Sequence, residues 1–377
     1  MSAFTYKKAD PAEWDDLLDL ANYVFSNAHE PHDFATLLPK VYGPNAPFDA
    51  AEQFIAKRDD GRLRGLVALR HLDMTAGEDH LHVGFVGTVS VHPYARGEGH
   101  MKNLMRVMKE AACAQQTDIL VLGGQRQRYQ YFGFEKGGYR YRFTISSTNI
   151  RHALRDVDAS GIEFADMDGC TEAQLALACA LNERKAVRFN RPAAQFVDIL
   201  RSWHSSASIV LDGGEMIGFA AGDGMEITLK DDAQLLRVIK AMMTQRGLSR
   251  MTIDVQPWEH DRIALLSTLA EDWSLFSPDM VQVLNWAHTL DVLLRLRSRI
   301  TPLLDGACVL EIDSERLRLC VEGGKPSVSH TDAPADLTLT AMEAHQLLFA
   351  LQHATTLHPL MKNWLPLPFD VPATDGF

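Results

Sequence analysis

A β-branched run that breaks into glycine and then into a helix constrains this chain more than any other feature. The segment is Val89-Ser90-Val91-His92-Pro93-Tyr94-Ala95-Arg96-Gly97-Glu98-Gly99-His100. It reads as a strand to Val91 and turns at Pro93. It then enters a stretch with Met101, Leu104, Met105 and Met108 on one helical stripe. Glycines let backbone N–H groups approach an anion closely. A helix start adds unpaired donors and a positive dipole end. Arg96 adds a fork of donors that suits a phosphate oxygen. Gly-x-Gly alone is often just a turn. Between a strand and a helix, with Pro93 and Arg96 ahead of it, the loop reads as a pyrophosphate cradle.

The flanking pattern supplies the rest of a mixed domain. Asp15 to Phe25 carries Leu17, Leu18, Leu20, Ala21, Val24 and Phe25 at helical spacing. Phe54–Arg58 and Leu63–Leu72 flank Asp59-Asp60-Gly61-Arg62, a hairpin signal. A turn at Thr75–Asp79 leads into Leu81–Val91, and Ile119–Leu122 is a short buried strand. Antiparallel strands followed by strand, loop, helix and strand predict an α/β or α+β domain over residues 1–150.

Residues 151–285 repeat that layout. Ala207–Leu211 and Met216–Ala221 flank Asp212-Gly213-Gly214-Glu215; Met225–Leu229 is a strand, Asp232–Gln245 a helix and Met251–Val255 a strand. Lys230-Asp231-Asp232-Ala233 stands where Arg96-Gly97-Glu98-Gly99 stood, so the second copy lacks the cradle. Residues 286–377 change character. Asp291–Ile300 is an amphipathic helix. Short strands follow at Ala307–Ile312, Leu317–Val321, Ser327–His330 and Asp336–Leu339. Thr340 with Glu343 resembles a capping box opening a helix from Ala341 to Leu351. The tail from Trp364 to Phe377 has three prolines and large apolar groups, and so is expected to dock.

Composition narrows the function. The net charge of -12 disfavours nucleic-acid binding, which usually needs a basic face. It could steer a cationic substrate, or serve solubility alone. The five cysteines form no Cys-x-x-Cys pair, which argues against a zinc site or a disulfide framework and fits a reducing cytoplasm. No apolar run of about 18 residues exists, so no membrane span is expected. Lys7 and Lys8 have no apolar stretch behind them, so no secretory signal is expected. Neither Gly-x-Ser-x-Gly nor His-Glu-x-x-His occurs.

Val89-x-Val91-x-Pro93-x-x-Arg96-Gly97-x-Gly99 resembles the acetyl-CoA motif of the GNAT acetyltransferase superfamily. Tyr129-Gln130-Tyr131-Phe132-Gly133-Phe134 resembles a signature of its Eis-like (enhanced intracellular survival) branch. The resemblance implies two tandem GNAT-like domains, the second degenerate, and a C-terminal sterol-carrier-protein-like α+β domain. It implies one acetyl-CoA per chain, held by Val89, Ser90, Val91, Arg96, Gly97, Glu98, Gly99, His100, Met101, Gly124 and Gln125, with no metal. It also implies a homo-oligomer, a hexamer among the options.

The same resemblance assigns the chemistry. Tyr129 matches the general acid; on its residues alone it reads first as a packing tyrosine beside Tyr131, Phe132 and Phe134. The α-carboxylate of the last residue, Phe377, would be the base, directly or through water; an ordinary surface terminus is the commoner case. Gly376 precedes it, and Asp375 could supply a charge to the acceptor site. His29, Glu30, His32 and Asp33 follow the first helix, where GNAT folds line the acceptor groove, and are otherwise a solvated loop. Glu30 and Asp33 are the acceptor-binding candidates. The implied reaction is acetyl transfer to a primary amine: an aminoglycoside, a polyamine or a lysine side chain. The alternative is a lipid- or acyl-CoA-binding carrier or sensor without turnover.

Overall fold

Period-two alternation sends Phe54, Ala56, Val67 and Leu69 to one face of a sheet, and Ile55 and Leu66 to the other. Each face is covered by a helix. The helix His100–Ala114 lays Leu104, Met105, Met108 and Ala112 on the first; Trp14–Ser26 lays Leu17, Leu20, Ala21 and Val24 on the second. The result is three layers. The structure is a computed structural model that describes residues 3–28, 30–350 and 359–377; the expected residues His29 and Leu351 lie outside them.

The strands of this sheet are β1 (Phe4–Lys8), β2 (Glu52–Arg58), β3 (Leu63–Ala76), β4 (Asp79–Val91), β5 (Ile119–Leu122) and β6 (Glu135–Lys136). Their order is β1-β2-β3-β4-β5, then the strand Met280–Val283, then β6. β1 to β4 are antiparallel neighbours, whereas β5 lies parallel to β4. A parallel neighbour needs a crossover, and His100–Ala114 provides it.

The chain forms two compact units. One is residues 1–138, 277–369 and 377; the other is 139–276 and 370–376. The expected cuts after 150 and 285 differ from this division. Residue 150 lies inside the helix Ser147–Ala153, and Met280–Val283 pairs with β5 in the first sheet.

The second unit has β7 (Arg140–Ser146), β8 (Ile162–Asp166), β9 (Val187–Phe189), β10 (Ala207–Asp212), β11 (Glu215–Ala221), β12 (Glu226–Leu229), β13 (Arg250–Val255) and β14 (Asp272–Phe276). The hairpin between β10 and β11 turns at Gly213 and Gly214, with φ of 57° and 85°. The expected order of hairpin, strand, helix and strand is present. The pairing differs from the first sheet: β12 ends the sheet β12-β11-β10-β8, and β13 belongs to β13-β7-β14. In place of the glycine loop, the Asp231 side chain accepts from the Ala233 N–H at 2.9 Å. The chain's own carboxylate therefore stands where an anion would bind.

Beyond Ser277 the chain returns to the first unit with β15 (Met280–Val283) and the helix Trp286–Ile300. A second sheet follows, β18-β17-β16-β19, built from β16 (Gly306–Ile312), β17 (Glu315–Glu322), β18 (Lys325–His330) and β19 (Leu337–Leu339). The Thr340–Glu343 capping box forms and opens the helix Ala341–Phe349. No helix among the described residues is long and apolar enough to cross a membrane.

Candidate active site

β4 is the strand on which the site is built. Its parallel ladder with β5 ends at Phe85 and Val121. From Val86 to Val91 the edge facing β5 has no strand on it among the described residues. A bulge between Leu66 and Ala68 of β3 shifts the register on the other side. At that bulge Thr88 sits at φ 47°, a region that β-branched residues seldom occupy. The Tyr42 hydroxyl donates to Thr88 Oγ1 at 2.7 Å and holds it there.

The loop after β4 turns through Gly97 and Gly99, with φ of 84° and 82°. A Cβ on either would meet nothing within 4 Å, so glycine serves the backbone conformation here, with open space beside it. Gly99 is the helix N-cap and offers no side chain to the first turn. Among the described residues, the N–H groups of Gly97, Glu98 and Gly99 meet no protein acceptor. Asn103 is the first to bond back, to the Gly99 carbonyl at 3.1 Å. Helix geometry leaves the N–H groups of His100, Met101 and Lys102 without intrahelical partners.

A cleft of about 750 Å³ lies over this loop. Its walls include Val24, Phe25, Val89, Val91, Arg96, Gly97, Gly99, His100, Met101, Lys102, Gln125, Arg128, Tyr131 and Phe132. Arg96, Lys102 and Arg128 bring cations, and no aspartate or glutamate lines it among the described residues. In a chain with a net charge of -12, that is a local reversal of sign.

The other expected residues fall differently. Ser90 is buried, and its hydroxyl donates to the Thr88 carbonyl. The buried His100 ring is held by the Tyr6 hydroxyl at 2.9 Å and by Glu98 at 3.1 Å, which ties the one acid of the loop to a side chain. Gly124 packs against Tyr129: a Cβ there would lie 2.9 Å from that ring. Tyr129 is 7% exposed, in the core cluster with Phe134 and Met105. Burial raises its pKa and outweighs the opposing influence of Arg128, so the phenol stays protonated. Its neighbours Arg128 and Tyr131 are the ones that line the cleft.

Asp33 caps the helix Phe34–Leu37, accepting from Ala35 N–H at 3.1 Å and the Thr36 hydroxyl at 2.8 Å. Glu30 is exposed, and its carbonyl meets the His32 ring at 2.7 Å. Neither lines the cleft. Asp375 belongs to the second unit, where Arg191 donates to it at 2.8 and 2.7 Å. A smaller cavity there, about 180 Å³, is lined by Arg191, Glu226, Trp258, Arg262 and Asp375. Its arginines are paired, Arg191 with Glu226 and Asp375, and Arg262 with Asp232. The Phe377 ring lies on β4 at Gly87, in the first unit.

Lys102, Arg128 and Tyr131 line the cleft although sequence reasoning did not single them out. Lys102 is in the first turn after Gly99, a position the helix start specifies. Arg128 immediately precedes the motif that begins at Tyr129, and Tyr131 lies within it. Nothing in the sequence signals the bulge at Thr88.

A family model described as an acetyltransferase (GNAT) domain matches residues 5–137. No curated protein matches the chain. Among solved structures, a GCN5-related N-acetyltransferase from Anabaena variabilis is 15% identical, with 100% of each chain covered and a TM-score of 0.69. A probable N-acyltransferase from Enterococcus faecalis is 17% identical over 95% of this chain and 92% of that one, TM-score 0.65. Eis1 from Mycobacterium abscessus is 13% identical over 92% and 89%, TM-score 0.60. At these identities the likeness is one of fold, and it runs the length of the chain. Residues 5–137 form a GNAT acetyltransferase domain, and the protein that carries it is an acetyltransferase.

Proposed function

We propose that the chain transfers an acetyl group from acetyl-CoA to a primary amine of a small molecule or a lysine side chain. One observation carries this reading: an acid-free cleft with Arg96, Lys102 and Arg128 lies against a glycine-turned helix start and the open edge of β4. The pyrophosphate of acetyl-CoA fits that loop, where Gly97, Glu98 and Gly99 offer N–H groups without protein acceptors. The pantetheine arm would then run along Val89 to Val91.

An alkyl amine has a pKa near ~10 and arrives protonated. A base must take that proton before the nitrogen attacks the thioester carbonyl. In this reading the base is the Phe377 carboxylate. The nitrogen–carbon bond forms, and the negative charge moves to the carbonyl oxygen, which N–H groups of the β4 edge would stabilise. Collapse breaks the carbon–sulfur bond. The departing thiolate takes a proton from the Tyr129 hydroxyl, which burial keeps protonated until then, and the nitrogen of the new amide loses its second proton to solvent, from which Tyr129 is reprotonated.

Residues 286–377 are read here as the sterol-carrier-protein-like part of an Eis-like plan, supported by the sheet β18-β17-β16-β19 and its helices. The second GNAT-like copy is read as inactive, because Asp231 fills its helix start. Thiol release from acetyl-CoA, measured across a panel of amines, tests the function. Tyr129→Phe is expected to lower kcat about 10²- to 10⁴-fold with little change in KM for acetyl-CoA. Undiminished turnover in that variant removes Tyr129 from the mechanism. Absence of turnover with every amine favours a carrier.

A further inference from the structure

We propose that Gly87 is a positioning residue: it forms the seat for the Phe377 ring on β4 and thereby fixes where the terminal carboxylate stands. The inference rests on the reading of that carboxylate as the base. Glycine inside a strand weakens it and marks a close approach. At Gly87 the backbone demands no glycine, since its φ lies outside the left-handed region. The demand comes from one neighbour. A Cβ added there would overlap the Phe377 ring, whose Cδ1, Cγ and Cε1 are the three nearest atoms. Gly65 and Gly84 face leucine side chains instead, as glycines in a packed sheet do.

The seat has walls as well as a floor. The Tyr42 and Phe85 rings each stand 6.5 Å from the Phe377 ring, at interplanar angles of 65° and 38°. Tyr42 is also the residue whose hydroxyl holds the Thr88 bulge at 2.7 Å. Burial pushes its phenol far up, so it remains a neutral donor. One buried tyrosine thus shapes both the bulge and the place of the last ring. The ring sits one residue before the bulge, on the stretch of β4 that β5 leaves open. The α-carboxylate of the same residue is three bonds from that ring, so the seat at Gly87 limits where it can stand.

The test uses the full-length enzyme and two readouts. Gly87→Ala is expected to lower kcat about 10²-fold, the cost of a displacement near 1 Å at a reacting group, with KM for acetyl-CoA unchanged. In the Phe377→Ala background, which has no ring to displace, Gly87→Ala is expected to change nothing further. Carboxypeptidase should release residue 377 about tenfold faster from Gly87→Ala than from the unaltered enzyme, because the unseated terminus opens more often. Release at the unaltered rate overturns the seat. Faster release with unchanged kcat overturns the positioning role. So do two kcat losses that simply multiply in the double variant. The underlying reading fails separately: full activity with one glycine appended after Phe377 overturns the terminal base, and leaves the release rate to judge the seat.

Discussion

Arg191 grips the Asp375 carboxylate through two bonds of 2.8 and 2.7 Å, and turns the rest of its fork to Glu226 at 3.0 and 2.9 Å. All three side chains are almost wholly buried in the second unit. Removing the cation leaves two buried carboxylates facing each other, with Lys185 on Glu226 as the remaining counter-charge. Arg191→Ala is therefore expected to lower stability by about 3–5 kcal/mol. Arg191→Lys recovers part of this only, because an ammonium cannot serve two carboxylates as a planar fork does. Denaturant unfolding followed by tryptophan fluorescence checks both; an unchanged midpoint in Arg191→Ala contradicts the account.

Arg96 is exposed and forms no ion pair among the described residues, so its guanidinium is available to a ligand. Arg96→Ala is expected to raise KM for acetyl-CoA by about one order of magnitude, the worth of a charge-assisted hydrogen bond, while kcat stays nearly constant. Added salt should weaken acetyl-CoA binding to the unaltered protein more steeply than to the variant. Steady-state kinetics at two ionic strengths measures this.

Gly99 at φ 82° has open space around it, so a methyl group there strains only the backbone. Gly99→Ala is expected to cost about 1–2 kcal/mol. If the loop relaxes instead, its N–H groups turn away and KM for acetyl-CoA rises. Calorimetric melting and the same kinetics separate the two, and a variant unchanged in both would show that the loop does not need this conformation.

His345 accepts the Val283 N–H on Nε2 at 2.9 Å, beneath the Trp286 ring. Burial, only partly offset by Glu135, pushes its pKa down to about 4. In the unfolded chain a histidine titrates near ~6.5. The unfolded state therefore binds the proton first. The contribution is complete above ~6.5 and is lost as pH falls from there toward 4, by up to about 1.4 kcal/mol per pH unit. His345→Gln removes the titration, so its melting temperature should fall less between pH 7 and pH 5. A parallel fall in both proteins would place the acid sensitivity elsewhere.

The strands β2 to β5 and the glycine loop after β4 were legible because they obey local rules. Alternation in residues 52–72, the turn at Asp59–Arg62 and the methionine stripe after Gly99 each state their structure within a dozen residues. What escaped is long-range. Val281 pairs with Val121 across the first sheet, and no pattern near either residue announces it. The same distinction runs through the site. Arg96, Gly97 and Gly99 come from one segment and share one cleft. Asp33, a candidate acceptor ligand by its place in the sequence, caps a helix, a role its place before Phe34 also allows. Asp375 lies two residues from Phe377, yet the two belong to different units. Proximity in sequence did not carry over at a chain end held by separate partners.

β15 lies between β5 and β6, although its residues 280–283 follow both by more than a hundred positions. During synthesis the first sheet therefore waits. Until residue 283 has left the ribosome, the edge of β5 is bare and β6 has no neighbour, while the whole of residues 139–276 is already made. A polypeptide released early, or an expression fragment stopped near residue 150, would present a hydrophobic strand edge to whatever it meets first. The first strands of the acetyltransferase domain come early in the sequence, and their sheet is closed only after the whole of residues 139–276 has been made.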